Sequence, residues 1–151
     1  MHAPKKIKPQ SLSDYLEVMS KAVFQTGISW KVVESKWLGI KEAFHGFDPN
    51  VLSKMTMAEI EILSKDSRII RNFRKVDAIV GNARRMLELD KSYGTFTKYL
   101  RSFNSYDELT KDLHKQFKFL GDMGCYYFLW VVGEKVPSYE EWSSKYEAKH
   151  S

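Results

Sequence analysis

Phe119-Leu120-Gly121-Asp122-Met123-Gly124 separates two stretches of helical periodicity, and the reading of this turn decides the fold. Before it, Ser105 and Glu108 have capping-box spacing, and Leu109 and Leu113 carry one apolar face to about Lys115. After it, the apolar run from Cys125 to Val132 predicts a second helix that ends at Gly133. Two helices joined by an apolar-Gly-x-x-Gly turn make a helix-hairpin-helix element. Its glycines let the chain turn tightly and approach another surface closely. The turn feeds a helix N-terminus, whose unpaired N–H groups attract phosphate, and Lys115 and Lys118 add charge beside it. On this reading Lys118, Gly121 and Gly124 hold a DNA backbone. The same pattern also suits a plain helical hairpin packed in a core. Asp122 repels phosphate, and its other expected role is to cap the following helix.

Outward from the turn the periodicity stays helical. Leu12, Tyr15, Leu16, Met19, Ala22 and Val23 share one face of a first helix, which Gln25-Thr26-Gly27 breaks. Ser29 is placed to cap a second helix, where Trp30, Val33, Trp37, Ile40 and Phe44 form a stripe. Asp48-Pro49 reads as an N-cap followed by a first-turn proline. Capping boxes also fit Thr56 with Glu59 and Ser138 with Glu141. A long helix carries Val76, Ile79, Val80, Ala83, Met86 and Leu87 inward, and Gly94 precedes a helix with Phe96, Tyr99, Leu100 and Phe103. No alternating strand pattern competes with these faces. The expected fold is all-α: one multi-helix domain over residues 11–147 with a helix-hairpin-helix motif, behind a basic flexible tail at residues 1–10.

Composition narrows the function classes. The 151 residues, 43% hydrophobic, suffice for one core. No stretch approaches the roughly 18 apolar residues that a membrane span needs, and the N-terminal decapeptide lacks the apolar segment of a secretory signal. With a single cysteine, Cys125, no intramolecular disulfide forms, and the four histidines show no zinc-type spacing. No metal, no cofactor and a reducing, cytoplasmic setting are expected. Lys and Arg total 24 against 19 acids, a net charge of +5. Lys5, Lys6 and Lys8 stand without an acid, which reads either as a solubilising tail or as a phosphate-seeking arm. Arg68, Arg71, Arg74, Lys75, Arg84 and Arg85 read mainly as solvated faces, with a DNA-facing surface as the alternative.

Several stretches, taken in order, resemble the bacterial 3-methyladenine DNA glycosylase I family of the helix-hairpin-helix superfamily. They are Phe24-Gln25-Thr26-Gly27-Ile28-Ser29-Trp30, Ala43-Phe44-His45-Gly46-Phe47-Asp48-Pro49, Ile69-Ile70-Arg71-Asn72, residues 75–84, Gly94-Thr95-Phe96, Phe117-Lys118-Phe119-Leu120-Gly121 and Cys125-Tyr126. The resemblance implies an enzyme that flips an alkylated base from damaged double-stranded DNA and hydrolyses its glycosidic bond. It places Trp30 against the flipped base, Gln25 in the base pocket and Ile28 as a wedge in the vacated stack. An indole face suits a cationic purine, although spacing alone also fits Trp30 to the core stripe.

The departures from the family bear on catalysis. Ala22 stands where the family carries a glutamate, and the family's zinc-ligand segments find no match. The zinc clasp is therefore expected to be absent, with Trp142 and Tyr146 sealing that edge by packing. The superfamily usually sets an acid after the hairpin helix; Glu134 and Glu140 are the candidates, since Glu141 belongs to a capping box. Cys125 and Tyr126 occupy the stretch where bifunctional relatives place a Schiff-base lysine, which disfavours lyase chemistry. A cationic base leaves without much acid assistance. The expected function is a monomeric, monofunctional glycosylase for cationic alkylated purines. The competing reading is a non-catalytic binder of damaged or distorted duplex that kept the fold.

Overall fold

Local capping chemistry sets most element boundaries in the computed structural model, which describes residues 3–150. Met1, His2 and Ser151, including the first two residues of the expected tail, lie outside the described residues. The elements are α1 (Leu12–Gln25), α2 (Trp30–Ala43), a 3-10 turn (His45–Phe47), α3 (Pro49–Leu52) and α4 (Met57–Ser64). They continue as α5 (Phe73–Tyr93), α6 (Phe96–Leu100), α7 (Tyr106–Gln116), α8 (Asp122–Val131) and α9 (Tyr139–His150). Among the described residues there is no strand, so the all-α expectation holds. No helix among the described residues is long and apolar enough to cross a membrane.

The caps follow the sequence signals, with differences of detail. Ser29 Oγ accepts from the Lys31 N–H and Asp48 Oδ1 from the Asn50 N–H, as N-caps do. Thr56 and Glu59 form a complete capping box. Ser105 caps Glu108, but the Glu108 carboxylate reaches the Asn104 N–H instead of closing the box. Ser138 caps the Glu141 N–H.

α5 is the spine. It packs against α1, α3, α4 and α6, and α1 also packs on α8. Fully buried Phe24, Phe44, Phe47, Phe96, Tyr99 and Phe128 fill the space between them. Tyr126 stacks on Trp142 at 4.5 Å and Trp142 on Tyr146 at 5.0 Å, so aromatic packing fastens α9 to α8. Part of the basic segment at the N-terminus also lies on the end of α8. The Ile7 N–H donates to Val131 O at 2.8 Å, Trp130 Nε1 donates to Pro4 O at 2.9 Å, and Lys6 Nζ sits 4.2 Å from the Trp130 ring centroid.

Candidate base-recognition loop and hairpin

α1 ends where its last carbonyls need partners, and a lysine from α5 supplies them. Lys75 is 3% exposed, and its Nζ donates to Phe24 O at 3.0 Å and Thr26 O at 2.6 Å. A cation at a helix C-terminus also meets the negative end of the helix dipole. Burial draws this ammonium below the usual lysine range. Gly27 takes φ +75°, a left-handed turn that lets the chain reverse into Ser29 and α2. The loop from Gln25 to Trp30 is thus clamped from below by α5. The reading of Lys75 as a solvated charge is corrected: it sits on the buried face of α5, where only bonded polar groups are tolerated.

The core-stripe reading of α2 holds for Val33, Trp37 and Ile40 and fails for Trp30. Trp37 is 7% exposed and stacks on Phe47 at 5.3 Å, whereas Trp30, at the first position of α2, is 56% exposed. Gln25 is half-buried, and Ile28 is half-buried against the core. Tyr127 of α8, a residue that sequence reasoning passed over, lies beside Gln25. Its phenol is pushed up to about 12 by burial first and by the Glu34 and Glu17 carboxylates, with a Gln25 hydrogen bond pulling the other way. It therefore remains a hydroxyl donor at neutral pH. Lys21 of α1 pairs with Glu34 of α2 at 2.6 Å on the same side.

The hairpin is anchored by a second polar residue on the buried face of α5. Asn82, 2% exposed, donates from Nδ2 to Lys118 O at 3.1 Å and accepts at Oδ1 from the Lys118 N–H at 2.8 Å. The turn itself is made by Phe119 at φ +57°, not by the glycines. Gly121 is the N-cap of α8 with extended φ of −81°, and a Cβ there meets nothing within 4 Å. Gly124 lies inside α8, where a Cβ comes 3.3 Å from Leu120 Cδ1 and 3.7 Å from Ala22 Cβ. A side chain there presses first on Leu120 of the same hairpin, while Ala22 of α1 stays at ordinary contact distance. The tip is apolar and open, with Phe119 40% and Met123 59% exposed, and Lys118 is exposed beside it.

Asp122 does not cap α8; it occupies the helix's first turn. Its carboxylate is bound by Lys149 Nζ at 3.0 Å, His114 Nε2 at 3.0 Å and His150 Nε2 at 3.8 Å. Burial pushes the Asp122 carboxyl up, but Lys149 and the two imidazoles outweigh it and hold it below the usual range. The repulsion expected of this acid is thus answered by the Lys149 ammonium of α9, with the His114 and His150 rings beside it.

The acids singled out after the hairpin are placed elsewhere. Glu134 is joined by both oxygens to Arg101, at 3.1 and 3.0 Å, and Glu140 is exposed in the first turn of α9. Arg84 donates to Ser53 O and Met55 O beyond α3, and Arg68 pairs with Asp66 and Glu42. Arg71 and Arg74 stay exposed near Lys75. A cleft of about 690 Å³ lies between the start of α7 and α9 and takes in none of Gln25, Ile28 or Trp30. The loop around Trp30 is exposed, and Lys31 Nζ stands 6.0 Å from the Trp30 ring centroid. No three of His, Cys, Asp and Glu converge on a metal site among the described residues, and Cys125 is buried with its thiol pushed up to about 12 by desolvation. A zinc ion does not fit these residues.

A family model described as methyladenine glycosylase matches residues 8–119. DNA-3-methyladenine glycosylase of Haemophilus influenzae is 32% identical, over 72% of this chain and 70% of its own length. DNA-3-methyladenine glycosylase 1 of Escherichia coli K12 is similar to the same extent. The solved structure of 3-methyladenine DNA glycosylase I from Staphylococcus aureus, concerned with 3-methyladenine recognition, superposes with a TM-score of 0.76 at 25% identity. That match covers 85% of this chain and 80% of the other.

Proposed function

This chain belongs to the methyladenine glycosylase family, and from that premise we propose that it hydrolyses the N-glycosidic bond of cationic alkylated purines such as 3-methyladenine. The observation that carries the proposal is Trp30, a tryptophan left 56% exposed at the head of α2 on a loop that buried Lys75 holds in place. An indole face turned to solvent suits a flipped purine by stacking, and a cationic one further by cation–π attraction. Gln25 and the Tyr127 hydroxyl supply the hydrogen-bonding edge. Ile28 enters the space left in the stack. Lys118 and the backbone around Gly121 and Gly124 hold the DNA strand. A base that already carries positive charge departs without strong acid catalysis, so water exclusion and stacking suffice. The protein acts as a monomer on damaged duplex DNA.

One observation favours the competing reading of a binder without chemistry. Ala22, 4% exposed and packed toward Gly124, stands where the resemblance calls for a glutamate. Mass spectrometry of bases released from methylated duplex DNA separates the two readings. The expected outcome is release of 3-methyladenine by the wild type. Trp30→Ala reduces it about 10- to 100-fold, the worth of about 1–3 kcal/mol of stacking. Salt-sensitive duplex binding with no base released means the binder. Efficient release of uracil or 8-oxoguanine means that the restriction to cationic bases is wrong.

A further inference from the structure

Trp30 and Glu34 are one helical turn apart at the start of α2, so their side chains share a face. Lys21 and Gln25 hold the same relation at the end of α1. The Lys21 Nζ to Glu34 Oε2 contact of 2.6 Å joins the two faces. The Tyr127 phenol meets the Gln25 side chain and feels the charge of the Glu34 carboxylate. The ion pair is lopsided. The Lys21 side chain is 18% exposed and its ammonium lies 5.3 Å from the buried Trp37 ring, whereas the Glu34 side chain is 55% exposed. The pair therefore turns its positive end into the protein and its negative end outward. The other neighbouring acid, Glu17, is occupied by Trp37 Nε1 at 2.8 Å and by Lys41 at 3.1 Å.

We propose that Glu34 is the specificity carboxylate of the base site, setting its negative charge against the cationic purine that stacks on Trp30. This inference rests on the glycosylase reading above. It gives the chain an acid at its base platform from α2, although Ala22 leaves none at that point of α1. A neutral purine gains no charge term from Glu34; an alkylated, cationic one does. As the glycosidic bond breaks, positive charge drains from the base toward the sugar. A carboxylate beside the base then favours the bound substrate as much as the transition state or more, so its effect falls on binding and not on the maximal rate.

Single-turnover release of 3-methyladenine from methylated duplex, followed against protein concentration, tests this in wild type, Glu34→Gln, Glu34→Asp and Lys21→Ala. Glu34→Gln is expected to raise the half-saturating concentration about 5-fold, the scale of one part-exposed charge pair, with the maximal rate little changed. Glu34→Asp restores part of the loss. Lys21→Ala, which frees the carboxylate from its partner, lowers the half-saturating concentration. Equal losses in Glu34→Gln and Lys21→Ala, with equal drops in melting temperature, reduce the pair to a helix clamp and overturn the proposal. So does a loss confined to the maximal rate, or no effect of Glu34→Gln while the wild type releases base. A wild type that releases no base at all overturns the glycosylase reading instead, and the inference with it.

Discussion

Two polar side chains on the buried stripe of α5 do much of the positioning in this protein. Lys75, Ile79, Asn82 and Met86 follow helical spacing, and all four are buried. An unpaired amine or amide on such a face is costly, so each must find partners at once. Lys75 finds the end of α1 and thereby holds the loop that presents Trp30. Lys75→Met keeps the bulk and removes two charge-assisted hydrogen bonds while leaving two carbonyls without donors. A loss of about 2–3 kcal/mol in denaturant unfolding is expected, together with weaker base release, because the loop is no longer tied. Unchanged stability in that variant is incompatible with the clamp. A polar residue interrupting an apolar stripe is the sequence signal that identifies Lys75; read by charge alone, it passes for a surface lysine.

At the scale of elements, the hairpin differs from its sequence pattern in instructive ways. The glycines were expected to make the turn, yet the left-handed residue is Phe119, at φ +57°. A non-glycine residue held there costs about 1–3 kcal/mol and persists only where its surroundings impose it. Asn82 does so by pairing with both backbone groups of Lys118, the residue before it. Asn82→Ala is expected to cost about 2–3 kcal/mol in stability. It should also weaken binding to undamaged duplex, measured by fluorescence anisotropy, more than Trp30→Ala does. The element order and the helical hairpin were legible because capping and periodicity are local. The turn's conformation was not, because its cause is a side chain 36 residues upstream.

Across the whole molecule, the chain's two ends both return to α8. The N-terminal segment bonds to Val131 and Trp130, and α9 stacks through Trp142 on Tyr126 while Lys149 and His150 reach Asp122. The Asp122 carboxyl titrates below its unfolded value of 3.8. Its contribution is therefore complete above that pH and is lost as pH falls through the lower, folded value. Docking of α9, followed by protease sensitivity of residues 139–150, is expected to weaken on acidification below about pH 4. Asp122→Asn should show weaker docking at neutral pH and no such acid step; an identical acid profile in that variant assigns the sensitivity to other groups.

By itself, the sequence determined the helical fold class, the helix starts that caps mark, the family, and the two segments at Gln25–Trp30 and Phe117–Gly124 on which the functional reading rests. These follow from caps, spacing and short motifs, which act within a few residues. Only the tertiary structure decided that Trp30 faces solvent while Trp37 is core, although both fit one stripe. It likewise decided that Gly124 lies inside α8 against Leu120, that Glu134 is paired with Arg101, and that Glu34, Lys21 and Tyr127 gather beside Gln25. Helical periodicity gives each residue a direction around its own axis. Which neighbour lies in that direction depends on how distant helices cross, and at the hairpin and the base loop that is settled by α5.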